Sequence, residues 1–79
     1  MYHTITIRLP KVTDIYKLCS LTKQFKSDIQ INKHGFKRVV DGKSILGIFS
    51  LGTSDLLDIS IVNPSDEELI KFNEIIKSF

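Results

Sequence analysis

The sequence predicts a small α+β protein in which a four-stranded antiparallel sheet carries two longer helices and one short helix on one face. The chain has 79 residues, 42% of them hydrophobic and 25% charged, the balance of an ordinary globular protein. Stretches with a period of two residues alternate with stretches of helical period. The resulting order is β-α-β-β-α(short)-β-α, and an open-faced sandwich satisfies it. We therefore treat residues 1–79 as a single domain.

The first strand and the first helix are separated by a change of period. Ile5, Ile7 and Leu9 alternate with polar residues, and Pro10 closes the strand because it has no backbone N–H to donate. Apolar residues then recur at steps of three and four, which predicts the buried face of a helix. That face consists of Val12, Ile15, Leu18, Cys19 and Thr22.

Residues 28–41 are predicted to form a β-hairpin. Ile29 and Ile31 mark its outgoing strand, residues 32–35 its turn and residues 36–40 its returning strand. Gly35 can supply the positive φ that such a turn requires.

A short helix, a strand and a final helix follow. Ser44 can cap the short helix and Gly52 can end it in a left-handed conformation, which leaves one and a half to two turns. Alternation of Leu57, Ile59 and Ile61 predicts the last strand. Ser65 and Glu68 have the spacing of a capping box, and a helical stripe follows them, made of Leu69, Phe72, Ile75, Ile76 and Phe79.

Composition excludes several classes of function. The net charge of +2 is too small to indicate a nucleic-acid or membrane partner, and the single cysteine, Cys19, cannot form an internal disulfide. The first residues alternate instead of forming the apolar run of a signal peptide, and no stretch has the ~18 apolar residues of a membrane helix. No carboxylate pair, metal-ligand spacing or Gly-rich phosphate loop occurs. We therefore expect a cytoplasmic protein that is not an enzyme and needs no cofactor or metal.

The segment from Lys43 to Gly52, KSILGIFSLG, resembles the regulatory-serine signature of HPr, the phosphocarrier of the bacterial sugar phosphotransferase system. In that family the serine opens a short helix between the third and fourth strands. The element order matches the HPr fold over nearly the whole chain. The hairpin before the signature is about two residues longer than in typical HPr.

The resemblance also locates the position at which HPr carries its phosphoryl group. The HPr histidine opens the first helix, and here that position falls near Lys11, with neither histidine nor arginine in residues 9–15. A lysine ammonium is protonated near pH 7 and cannot replace the imidazole as nucleophile. Thr13 or Asp14 is expected to cap this helix. His3 and His34 are predicted to lie far from it, so the transfer reaction is expected to be absent.

Ser44 has two interpretations. The resemblance implies phosphorylation by an ATP-dependent HPr kinase, followed by binding to a transcriptional regulator, and Lys43 adds a positive neighbour. The alternative is that Ser44 only caps the short helix.

The short helix carries more large apolar residues than one side can bury. The resemblance implies that Ile45, Leu46 and Phe49 are exposed to a protein partner, with Tyr16 on the neighbouring helix flank, and that Ile48 and Leu51 face the core. The alternatives are that all five pack inward, or that Phe49 and its neighbours form a dimer.

The predicted hairpin is basic, with Lys33, His34, Lys37 and Arg38 close in sequence. These residues could contact phosphate, or they could simply be solvated and blunt the edge of the sheet. The sequence thus predicts a catalytically inactive HPr-like interaction module. The alternative is an RNA- or small-molecule-binding α+β module unrelated to phosphotransfer, which neutralising the basic hairpin would test.

Overall fold

The computed structural model describes residues 1–53 and 55–79. Its elements are β1 (Tyr2–Arg8), α1 (Val12–Thr22), β2 (Ile29–Lys33), β3 (Val40–Asp41), α2 (Ile45–Leu51), β4 (Leu56–Val62) and α3 (Asp66–Lys77). The strands form one sheet in the order β1-β4-β2-β3, and every neighbouring pair is antiparallel. The predicted fold class and element order are confirmed.

The core lies between the sheet and the three helices. The alternating residues of β4, Leu57, Ile59 and Ile61, are fully buried, and Ile29 and Ile31 of β2 lie beside them. The helices contribute the buried side chains Ile15, Leu18, Cys19, Ile48, Leu51, Phe72 and Ile76. The prediction that Ile48 and Leu51 face the core is therefore confirmed, and Cys19 is a small core residue as expected.

The predicted hairpin forms, but its returning strand is much shorter than expected. Gly35 has the predicted positive φ of 88°. A tight turn closes where the Phe36 N–H donates to the Lys33 carbonyl at 2.9 Å, whereas the β2–β3 ladder pairs Ile31 with Val40. Two positions separate Lys33 from Ile31, and four separate Phe36 from Val40. The returning side of the hairpin therefore has more residues between the turn and the ladder than the outgoing side has. For this reason residues 36–39 lie outside the ladder, and β3 is only Val40–Asp41.

The short helix has the predicted cap and length. α2 spans seven residues, and the Ser44 hydroxyl accepts a hydrogen bond from the Gly47 N–H at 3.2 Å. Gly52 ends the helix with a positive φ of 80°, as predicted, but its ψ of −176° lies outside the left-handed helical region. The expected left-handed conformation at Gly52 is therefore wrong in its second angle.

The starts of the two longer helices agree with the prediction only in part: the cap of α1 was assigned to the wrong residue, whereas Ser65 caps α3 as predicted. Lys11 is the N-cap residue of α1, and Asp14 acts from the third helical position, where its carboxylate accepts from the Lys11 N–H at 3.1 Å. In α3, Ser65 accepts from the Glu68 N–H at 3.2 Å. The reciprocal half of the predicted capping box is not formed, because Glu68 contacts the α1–β2 connection instead.

Glu68 accepts three hydrogen bonds from that connection. The N–H groups of Lys26 and Ser27 donate at 2.7 and 3.0 Å, and the Ser27 hydroxyl donates at 2.6 Å.

No helix in the described ranges is long and apolar enough to span a bilayer.

Candidate functional site

Lys11 opens α1 with an extended backbone, φ −125° and ψ 149°. Its side chain is exposed. The Asp14 N–H donates to the Lys11 carbonyl at 3.0 Å, while the Asp14 carboxylate accepts from the Lys11 N–H. A lysine and an acid therefore occupy the first turn, and the carboxylate takes one of the amides that a helix start would otherwise offer to an anion.

A surface depression lies beside this first turn. The Lys17 ammonium stands 5.3 Å from the centroid of the Phe79 ring, within the range of a cation–π contact. Three cations and one carboxylate give the depression an excess of positive charge, and its lining contains no imidazole. The lining residues are Arg8, Pro10, Lys11, Asp14, Lys17, Ser78 and Phe79.

The two histidines are held by other elements. His3 Nε2 lies 2.8 Å from Asn73 Oδ1, and the His3 ring meets Phe72 edge-on at a centroid distance of 6.0 Å. His34 Nδ1 lies 2.9 Å from Asp58 Oδ1. The first imidazole therefore packs on α3 and the second on β4.

Asp58 collects several hydrogen bonds on the outer face of the sheet. The Thr6 hydroxyl donates at 2.7 Å, and the Asn32 amide approaches at 3.4 Å, in addition to the His34 contact. Burial alone would raise the pKa of Asp58, but the bonds from Thr6, His34 and Asn32, together with the His34 charge, outweigh it and hold that pKa below its usual value.

Ser44 is half-buried, and its hydroxyl accepts a hydrogen bond from the Gly47 N–H. Lys43, predicted as a positive neighbour for a phosphate, is committed elsewhere. Its ammonium donates to the Phe25 carbonyl at 2.7 Å, and its N–H donates to Asp41 Oδ1 at 2.9 Å. Lys43 therefore joins the segment before the α2 cap to the connection between α1 and β2.

Tyr16 and Phe49 meet between α1 and α2. Their rings are edge-to-face, with centroids 5.4 Å apart and planes at 76°. Leu46 is 78% exposed, as predicted, whereas Ile45 and Phe49 are half-buried against the core and not fully exposed as expected. We name these four residues, Tyr16, Ile45, Leu46 and Phe49, the α1–α2 surface.

Val12 extends this surface and was missed by the sequence analysis. Its helical spacing places it with the core residues of α1, but it is 52% exposed. It lies one turn before Tyr16 on α1, so the two side chains share a face of the helix. Helical spacing shows which side of a helix faces the core, but it does not show how far along the helix the core extends.

The basic hairpin residues remain at the surface. Lys33 pairs with Asp55 at 3.5 Å, while Lys37 and Arg38 are exposed. Phe36, predicted as part of the returning strand, is 65% exposed.

The chain is thus an open-faced α+β sandwich with a serine-capped short helix between its third and fourth strands. Comparison with protein families gives a match over residues 14–76 to the PTS-HPr family, described as the PTS HPr component phosphorylation site. The chain therefore belongs to the HPr family. The matched residues begin after Lys11.

Solved structures of HPr proteins resemble the chain over most of its length. The phosphocarrier protein HPr from Bacillus anthracis str. Ames has 25% sequence identity and a TM-score of 0.66, with 89% of each chain covered. HPr-C-His from Thermoanaerobacter tengcongensis has 25% identity and a TM-score of 0.72, covering 96% of this chain and 92% of its own. The search of curated proteins found no match.

Because the chain belongs to the HPr family, the alternative of an α+β module unrelated to phosphotransfer proteins is set aside. HPr proteins are phosphocarriers, not enzymes, and they act through contacts with other proteins.

Proposed function

We propose that this protein is an HPr-family binding protein of the cytoplasm that carries no phosphoryl group on histidine and contacts a partner protein through the α1–α2 surface. The observation that carries the proposal is the identity of the α1 N-cap, where a lysine stands at the start of the helix. In this role the protein is regulatory, not enzymatic, and needs no cofactor or metal.

The chemistry of the first turn supports this proposal. Phosphoryl transfer through a phosphoramidate needs a neutral nitrogen with a free lone pair, which imidazole provides near pH 7 and a lysine ammonium does not. Asp14 adds a negative charge in the turn that a phosphoryl dianion would approach. The imidazoles of His3 and His34 are engaged with Asn73 and Asp58.

Incubation with phosphoenolpyruvate and enzyme I tests the loss of the carrier reaction. We expect the intact mass of this protein to stay unchanged, while an active HPr in the same tube gains one phosphoryl group. A stoichiometric, acid-labile adduct on this chain would refute the proposal, and peptide mapping would then identify the modified residue.

The α1–α2 surface supports a protein partner. An exposed leucine beside an edge-to-face aromatic pair offers an apolar side chain and a fixed aromatic platform within one small area. Large exposed apolar residues that cluster in this way mark interaction sites more often than scattered ones do. Val12 enlarges the same area from the start of α1.

We further propose that phosphorylation of Ser44 switches the affinity of this surface for a partner such as a transcriptional regulator. Ser44 is half-buried at the start of α2, and it directly precedes Ile45 and Leu46 in the chain. A phosphate there would replace a neutral cap by about two negative charges next to the apolar residues.

An HPr kinase with ATP tests this switch. We expect one phosphate per molecule, lost in the Ser44→Ala variant. Ser50→Ala is the matched control, because Ser50 lies exposed on the same helix and its hydroxyl donates to the Gly47 carbonyl at 2.6 Å. Equal labelling of the Ser44→Ala variant and the unchanged protein would contradict the assignment of Ser44.

A further inference from the structure

A second exposed surface lies at the β2–β3 connection, formed by residues other than those of the α1–α2 surface. Phe36 lies at the centre of this surface, and its side chain is 65% exposed. The cations Arg8, Lys33, Lys37 and Arg38 belong to it, all but the half-buried Lys33 being exposed. We name these five residues the loop surface.

Phe36 borders two depressions. One is lined by Lys33, Phe36, Arg38, Ser50 and Leu51. The other is lined by Arg8, His34, Phe36, Asp55 and Leu56. In the first depression Leu51 and Phe36 lie beside the cations Lys33 and Arg38. In the second, Leu56 and Phe36 lie beside Arg8 and the carboxylate of Asp55. The combination in the first depression accepts an apolar side chain whose neighbours are negatively charged.

The charges of the loop surface do not cancel. Lys33 pairs with Asp55 at 3.5 Å, and Asp58 accepts a hydrogen bond from the Thr6 hydroxyl and lies 2.9 Å from His34 Nδ1. Three further cations, Arg8, Lys37 and Arg38, therefore outnumber the one remaining carboxylate, Asp58, among the described residues of this region. A ligand that complements this surface is therefore anionic.

Hydrogen bonds fix the turn that presents Phe36. The Asn32 amide donates to the carbonyls of Lys33 and Phe36, each at 3.0 Å. The His34 N–H donates to the Leu56 carbonyl at 2.9 Å, and the His34 ring is held by Asp58. Because the turn is already ordered, a ligand that packs on Phe36 loses little free energy in ordering it.

We propose that the loop surface docks an acidic segment of a partner protein that carries one bulky apolar side chain. That side chain packs against Phe36, and the flanking carboxylates pair with Arg38, Lys37 and Arg8. Arginine suits this role because its planar fork binds a carboxylate through two hydrogen bonds.

An acidic peptide fits the surface better than RNA does. Single-stranded nucleic acid binds along a track of cations with several stacking rings. Here Phe36 is the one aromatic ring among the loop-surface residues, so successive bases would find no second platform on which to stack.

Fluorescence anisotropy with a labelled acidic peptide tests the proposal. The probe has a central leucine between acidic residues, and its control has serine in place of the leucine. We expect the leucine peptide to bind more tightly than the serine peptide, and rising salt to weaken it. Phe36→Ser and Arg38→Glu should each reduce the affinity by about tenfold, the effect typical of an anchor residue.

Matched variants separate this surface from others. Lys23→Glu makes the same kind of charge change at an exposed residue at the end of α1 and should leave the affinity unchanged. Leu46→Ser removes the exposed leucine of the α1–α2 surface and should also leave the affinity for the peptide unchanged. The peptide assay therefore tests the loop surface alone, and failure of this inference is distinguishable from failure of the proposed function.

A positioning variant tests the role of the turn. Asn32→Ala keeps every residue of the loop surface but removes the two bonds that hold the Lys33–Phe36 turn. We expect weaker peptide binding with the fold intact by circular dichroism.

Three results would each overturn the inference. The first is equal binding of the leucine and serine peptides by a folded protein, and the second is peptide binding that Phe36→Ser does not change. The third is tight binding of an oligouridylate that depends on Phe36 while the acidic peptide fails to bind.

Discussion

Gly42 lies so close to β2 that a side chain would not fit there. Its N–H donates to the Ile29 carbonyl at 2.7 Å, and its carbonyl accepts from the buried Thr22 hydroxyl at 2.6 Å. A Cβ at this position would lie 2.5 Å from Ile29 Cγ2 and 2.9 Å from the Ile29 carbonyl oxygen. The backbone oxygen cannot move without disturbing β2.

We therefore expect Gly42→Ala to lower the free energy of unfolding by about 2–3 kcal/mol, as overpacking does in a well-filled core. Gly35→Ala is the comparison, because its Cβ would meet nothing within 4 Å and only its φ of 88° is unfavourable. That variant should lose about 1 kcal/mol. Urea denaturation measures both, and an equal loss in the two variants would show that the contact with Ile29 is not decisive.

Single residues also show how far the sequence alone could go. The position of Ser44 as a cap follows from the local sequence, and the exposure of Leu46 follows from the resemblance to HPr; both are present in the structure. The role of Lys43 could not be predicted, because its ammonium binds the carbonyl of Phe25, 18 residues earlier in the chain. Contacts at that separation depend on the assembled fold and leave no local pattern.

Among the elements, α3 offers a test of a predicted start signal. Ser65 accepts from the Glu68 N–H, so Ser65→Ala removes the cap and should lower the free energy of unfolding by about 1 kcal/mol. Ser20→Ala, at an exposed site within α1, should leave stability unchanged or raise it slightly, because alanine has the higher helix propensity. Thermal unfolding followed by circular dichroism compares them, and equal melting temperatures would contradict the capping role.

The hairpin shows why an element can be predicted in kind and wrong in extent. Alternation and Gly35 predict its outgoing strand and its turn, and both are present. Its returning strand is shorter because the turn closes at Phe36 while the ladder register is set by Ile31 and Val40. That register is a property of the pairing between β2 and β3 in the fold, so the local pattern of residues 36–39 did not show that they lie outside the ladder.

For the molecule as a whole, two carboxylates join elements that are distant in the chain. Asp58 links β4 to Thr6 of β1 and to His34 after β2. Glu68 links α3 to the connection between α1 and β2. The sequence identified Glu68 only as half of a local capping box, so its long-range role is a property of the assembled fold.

These two links should make the protein less stable in acid. The bond from the Ser27 hydroxyl, the N–H groups of Lys26 and Ser27 and the Lys71 charge outweigh burial and hold the pKa of Glu68 below its usual value of 4.5; the pKa of Asp58 is likewise below 3.8. Since each pKa is lower in the folded state, the stabilisation is complete above these ordinary values and is lost as the pH falls through the folded-state pKa.

We expect the free energy of unfolding to fall as the pH is lowered from 6 to about 3, and to fall less steeply in Glu68→Gln, which has no carboxylate to protonate. Glu67→Gln is the matched control, since it makes the same change at the neighbouring exposed position of α3 and should keep the slope of the unchanged protein. Urea denaturation at a series of pH values measures the slopes. Parallel curves for Glu68→Gln and Glu67→Gln would mean that the contact between α3 and the α1–β2 connection does not govern acid stability.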